Sequence, residues 1–186
     1  MAFHPKRRRS LRTAFSLTPI RRAISLANLT VNNTSGSPTV TLTNSAAFTW
    51  NGALTLTSGT LVLADFSQSI AGNVSRTTGL LTSTATVTLN GTTAAQSADF
   101  TSSTLSSLTV NNTFATPPQV SSAGSITLGG ALTLTAGTLA MGANALSVAG
   151  NISRTTGLIT STGTLTLNGT TAAQTANLTA STIQNL

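Results

Sequence analysis

With 186 residues, 39% of them hydrophobic, the chain can build one continuous core, which excludes a purely disordered tail. Only 6% of residues are charged and 4% aromatic, far below the proportions of an ordinary soluble domain, so Thr, Ser and Asn must solvate the surface. The net charge of +7 suggests an acidic partner until the charges are placed: Lys6, Arg7, Arg8, Arg9, Arg12, Arg21 and Arg22 are all N-terminal, while Arg76, Arg154, Asp65 and Asp99 cancel. A neutral body gives no long-range steering toward phosphate, and no nucleic-acid partner is expected.

Residues 1–27 are basic, free of acids and punctuated by Pro5 and Pro19. A secretory signal needs an apolar core of ~7–15 residues, and Thr13-Ala14-Phe15-Ser16-Leu17-Thr18-Pro19-Ile20, followed by two arginines, is a poor one. The segment reads as a flexible or misassigned N-terminus outside the fold, with a degenerate export signal or a membrane-surface or nucleic-acid arm as alternatives. His4, without partners, reads as solvated. No apolar run approaches the ~20 residues that span a bilayer, so no membrane span is expected.

From Leu29 onward the pattern has period two. Leu54, Leu56, Leu61 and Leu63 alternate with Thr55, Thr57, Thr60 and Val62, and Val87 and Leu89 alternate with Thr86 and Thr88, the signature of half-buried strands rich in β-branched residues. Between them fall Ser58-Gly59, Gly72-Asn73, Asn90-Gly91, Gly129-Gly130 and Asn168-Gly169, residues suited to tight turns. Helix has almost no foothold.

The chain then repeats itself. Gly52-Ala53-Leu54-Thr55-Leu56-Thr57 recurs as Gly130-Ala131-Leu132-Thr133-Leu134-Thr135, Asn73-Val74-Ser75-Arg76-Thr77-Thr78-Gly79 as Asn151-Ile152-Ser153-Arg154-Thr155-Thr156-Gly157, and Leu89-Asn90-Gly91-Thr92-Thr93-Ala94-Ala95-Gln96 as Leu167-Asn168-Gly169-Thr170-Thr171-Ala172-Ala173-Gln174, always 78 residues apart (130 − 52 = 78). Asn32-Asn33 recurs as Asn111-Asn112 at 79, one residue of turn insertion, and both pairs are expected to satisfy local backbone at corners.

Strand-like segments centred near Leu29, Leu54, Ile70, Val87 and Leu108 arrive about every 17–25 residues, a solenoid period. The expected fold is therefore all-β: a parallel β-helix (β-solenoid), right-handed by analogy, of about eight coils. Residues 28–186 would form it, as repeat 1 (about 29–107) and repeat 2 (about 108–186) of about four coils each. Each coil buries its inward residues against the next and cannot stand alone. Leu186 corresponds to Leu108, so the sequence stops in mid-phrase without a polar cap, and it reads as part of a longer repeat array or as a rod whose end stacks on another copy.

Catalysis in a β-helix groove needs paired carboxylates or a base with a metal. There is no Glu; Asp65 corresponds to Ala143 and Asp99 to Asn177, so neither acid belongs to a repeated site. With one His, no Cys and no Tyr, neither a nucleophile–base pair nor a metal cluster is expected, and the chain reads as no enzyme, with no catalytic, cofactor or metal residues. Short Gly phrases such as Asn90-Gly91-Thr92 are turns, not phosphate cradles. Arg76 and Arg154 occupy matching turns and read as solvated. Trp50 beside Phe48 is a candidate aromatic contact for a sugar, although packing at the core edge explains it as well. The Thr-x-Thr rows Thr55 and Thr57, Thr86 and Thr88, Thr133 and Thr135, and Thr164 and Thr166 are the candidate ligand face, for ice or a glycan.

The phrases LTVNNT, NGALTLTSGTL, AGNVSRTTGLLTS and TVTLNGTTAAQ resemble the β-strand-repeat surface proteins and adhesins of Gram-negative bacteria, large exported solenoids built from such units. The resemblance covers residues 28–186 and implies an extracellular or cell-surface location, a structural or adhesive task by multivalent display, and host-surface or glycan ligands as partners.

Overall fold

The computed structural model describes residues 24–35, 39–42, 47–63 and 65–186; the expectations for residues 1–23, His4 among them, fall outside the described residues. Every described element is a strand. In chain order these are β1 (Ile24–Leu26), β2 (Leu29–Asn32), β3 (Thr39–Leu42), β4 (Phe48–Trp50), β5 (Leu54–Ser58), β6 (Thr60–Leu63), β7 (Gln68–Ile70), β8 (Val74–Arg76), β9 (Leu80–Leu89) and β10 (Gln96–Ala98). They continue as β11 (Thr104–Asn111), β12 (Val120–Ser122), β13 (Ile126–Leu128), β14 (Leu132–Ala136), β15 (Thr138–Gly142), β16 (Leu146–Val148), β17 (Ile152–Arg154), β18 (Leu158–Leu167) and β19 (Thr182–Asn185). The alternating Ile24-Ser25-Leu26, assigned from sequence to the basic segment, already belongs to the fold.

All pairings are parallel, and each strand segment pairs with the third one after it: β1 with β4, β2 with β5, β3 with β6. Three segments therefore make one turn, and the chain is a parallel β-helix of about seven turns. Three columns run along it. The first stacks β1, β4, β7, the end of β9, the end of β11, β14 and β17. The second stacks β2, β5, β8, β10, β12, β15, the start of β18 and β19. The third holds β3, β6, the starts of β9 and β11, β13, β16 and the end of β18.

The columns change one expectation. β14 repeats the sequence of β5, yet β5 lies in the second column and β14 in the first. From β5 to β13, with β9 and β11 each counted as two segments, the 78-residue repeat spans eleven strand segments, or three and two-thirds turns rather than four. Coil length varies, for example from 25 residues between Leu29 and Leu54 to 19 between Gln68 and Val87. Segments taken from sequence as successive coils, such as Leu54 and Ile70, thus belong to different columns. The second copy of the repeat is turned by a third of a revolution relative to the first.

Apolar residues fill the interior in register. In the first column Trp50, Ile70, Leu89, Val110 and Leu134 stack one above another, all fully or almost fully buried, and each such side chain contributes roughly 1.5–3 kcal/mol of transfer free energy. The corner between β5 and β6 turns on Gly59 (φ 83°), and the matching corner between β14 and β15 on Gly137 (φ 84°). A Cβ on Gly137 would also stand 2.3 Å from the Asn112 carbonyl, so glycine is required there by both conformation and space.

Polar residues enter the interior where they replace missing ladder partners. Gln68 is buried, its Oε1 accepting from the Phe48 N–H at 3.0 Å and its Nε2 donating to the Phe66 carbonyl at 2.6 Å. Asn112 behaves as expected of a corner residue, accepting the Phe114 N–H at 2.9 Å; Asn33 does the same with Ser35 at 3.2 Å. Both are Asx turns.

Candidate functional site

The candidate threonines sit on strands whose inward leucines fix their orientation: Leu54 and Leu56 are buried, so Thr55 and Thr57 must point outward. The structure does not bring the eight together. Thr55 is in the second column, in register with Thr30 and Ser75. Thr88 and Thr133 are in the first, linked through Thr109. Thr166 is in the third, beside Ser147. Thr57 and Thr135 are the next-to-last residues of their strands, beside the turned corners, Thr86 opposes Ser107, and Thr164 pairs with Asn185 across a register shift.

A longer file of hydroxyls escaped the sequence pattern. Ser25, Thr49, Ser69, Thr88, Thr109, Thr133 and Ser153 lie in direct register up the first column. The spacings between neighbours follow the variable coil length, so no fixed offset announces the file. The second column offers Thr30, Thr55 and Ser75 and, higher up, Ser97 and Ser121; the third offers Thr127, Ser147 and Thr166. Hydroxyls therefore clothe all three sides. Some bond to one another: Ser75 Oγ lies 3.3 Å from Thr55 Oγ1, and the repeat-equivalent Ser153 Oγ 3.2 Å from Thr133 Oγ1.

The rotation of the repeat has a direct measurement. The chain has no cysteine, so paired spin labels can be introduced without background. Thr49 and Thr133 are four register steps apart in one column, an axial rise of about 19 Å. Thr55 and Thr133 are separated by a similar rise, about 18 Å for three and two-thirds turns at ~4.8 Å each, but face different sides. Dipolar spectroscopy on the Thr55→Cys/Thr133→Cys pair is expected to give a distinctly longer distance than on the Thr49→Cys/Thr133→Cys pair. Equal distances would mean that the two copies stack on one face.

Trp50, the candidate sugar contact, is fully buried and stacks on Phe48 with ring centroids 6.0 Å apart and planes 17° apart. It presents no ring face to a ligand. Its inward position follows from strand alternation in Phe48-Thr49-Trp50, which places Thr49 outside. The indole N–H has no hydrogen-bond partner in the structure.

The acids stay apart. Asp65 accepts from the Thr84 hydroxyl at 2.9 Å, and Asp99 accepts the Thr101 N–H at 2.9 Å in its own turn. Among the described residues no three His, Cys, Asp or Glu side chains come together as a metal site would require. Among the described residues no helix is long and apolar enough to cross a membrane.

Two repeated features carry more structure than the sequence suggested. Gln96, closing the NGTTAAQ turn, is 3% exposed and makes four bonds: Nε2 to the Ile70 and Gly72 carbonyls at 2.9 and 2.7 Å, and Oε1 from the Gly91 N–H and Asn112 Nδ2 at 2.9 and 3.0 Å. Gln174 repeats the first three, to Val148, Gly150 and Gly169. The arginines are not simply solvated either: Arg76 Nε donates to the Gly79 carbonyl and Arg154 Nε to the Gly157 carbonyl, both at 2.7 Å, with both residues half-buried. The available signal was recurrence itself, a Gln and an Arg copied within phrases built mostly of Asn, Ser, Thr, Ala and Gly.

Comparison with protein-family models, with curated proteins and with solved structures finds no match to this chain.

Proposed function

We propose that the chain is a structural or adhesive repeat segment of a secreted or cell-surface bacterial protein, a stiff rod that acts by multivalent display. The observation that carries this reading is the covering of in-register Ser and Thr hydroxyls on all three columns, with the repeat turned a third of a revolution between copies. Such a surface stays hydrated without charge. Hydroxyls on every side suit a stalk or a binder whose weak contacts add along its length. The sequence phrases that resemble bacterial surface repeats point the same way. The other reading, a flat face for ice or a glycan, draws its support from the single file through Thr88, Thr109 and Thr133.

Antibody raised against the solenoid is expected to label intact cells that make the protein, and protease added to intact cells to remove that signal. Labelling seen only after lysis would sink the surface role.

A further inference from the structure

Arg76 and Arg154 are the only cations among the described residues, and each is built into its corner the same way. Their backbone positions lie in register with the buried Leu56 and Leu134, so each stem starts on the core side and the guanidinium curls back to its own turn, as amphipathic side chains do. The turn that receives it is tied to the coil beneath. The N–H groups of Thr77 and Gly79 donate to the Leu56 carbonyl at 3.0 and 3.2 Å, and Thr78 Oγ1 donates to the Thr57 carbonyl at 2.9 Å. In the second copy Thr155 and Gly157 donate to Leu134 at 2.9 and 3.2 Å, and Thr156 Oγ1 to Thr135 at 2.8 Å.

The Nε–H spent on the turn carbonyl is one of five guanidinium donors. Among the described residues the others make no hydrogen bond and no salt bridge. A guanidinium held by its Nε has lost rotational freedom before any ligand arrives, and its remaining edge fits a carboxylate's two oxygens. Around it are the exposed Ser75, Thr77 and Thr78, and no large apolar side chain; among described residues the exposed ones are confined to Leu167 and Leu186. A protein partner would find no aromatic or aliphatic anchor here, whereas a sugar offers hydroxyls to hydroxyls.

The geometry points to two matching weak binding sites for carboxylate-bearing sugars, one at the Arg76 corner and one at the Arg154 corner. They differ in the next coil, where Asp99 bonds over Val74 and the neutral Asn177 over Ile152, so the Arg154 corner is the tighter of the two. The inference rests on the surface-segment reading above and names the ligand class of that display. Because Arg76 ends a strand of the second column and Arg154 one of the first, the sites face different sides of the rod. A straight acidic polysaccharide lying along one side meets one of them, so the segment bridges two polymer strands instead of zippering onto one. Each site alone has a Kd on the order of 1 mM or weaker.

The test is an NMR titration of the full isotope-labelled chain with trigalacturonate, with neutral maltotriose as control, at low salt. The Nε–H signals of Arg76 and Arg154 and the amides of Gly79 and Gly157 are expected to shift saturably with the acidic sugar and not with the neutral one. Arg76→Gln is expected to abolish the shifts at its own corner while the Arg154 midpoint stays within about twofold of wild type. Should Arg76→Gln disturb the fold, Arg76→Lys keeps the charge but loses the planar fork and is expected to weaken that corner several-fold. Shifts confined to the basic residues 6–22, equal shifts with both sugars, or loss of both corners in a folded Arg76→Gln would each overturn the proposal. None of those results alters labelling of intact cells, which tests the surface role separately.

Discussion

Replacing Gln96 by alanine is expected to lower stability by about 3–5 kcal/mol, because the truncation strands several buried groups at once. The Gly72 carbonyl, the Gly91 N–H and one amide hydrogen of Asn112 lose a partner in a site that is 3% exposed, while the Ile70 carbonyl keeps the Asn90 N–H. Water cannot replace the amide without entering the core. Gln174→Ala removes an equivalent side chain from the same phrase and is expected to cost only about 1 kcal/mol, since Gln174 is half-buried and solvent reaches the groups it leaves behind. Denaturant titration of both variants decides the matter through the shift in midpoint at unchanged slope. Equal costs would show that the clamp's energy is local to the turn and owes nothing to burial.

Trp50→Ala is the other large effect, about 3–5 kcal/mol, through the cavity left by the bulkiest buried side chain in the molecule. Trp50→Phe is expected to cost about 1 kcal/mol or less, because the smaller ring still stacks on Phe48 and the change removes an indole N–H that has no partner. As the only tryptophan, Trp50 reports its own environment: emission is expected to be blue-shifted in the native state, unchanged by added sugars, and red-shifted on unfolding. Quenching by a saccharide in the folded protein would mean that the indole is accessible after all.

These two residues show how far the sequence could be read. Gln96 and Gln174 were visible as a repeated letter in a turn, but a turn glutamine and a core clamp look the same until the coil beneath supplies Ile70 and Gly72. Trp50 left two readings open, sugar contact or core, and the parity of a three-residue strand chose the core. The candidate threonines were correctly placed outside by their leucine neighbours, yet their grouping into one face failed. Grouping needs the number of strand segments per repeat, and the short strands β8, β10, β12 and β13, of three residues each, carry too little alternation to be counted from sequence.

By itself the sequence determined that the chain is all-β, that Leu and Val face in and Thr and Ser face out, that the architecture is a stacked solenoid with a 78-residue repeat, and that its charge is concentrated at the N-terminus. Those properties are local or translational: period-two alternation, β-branched composition and recurrence at a fixed offset each survive without knowing which strand lies over which. Only the tertiary structure decided the phase. Coils of unequal length put eleven strand segments into one repeat on a three-sided helix, so the second copy is turned by a third of a revolution, the matching Thr rows part company, and Arg76 and Arg154 come to face different sides of the rod.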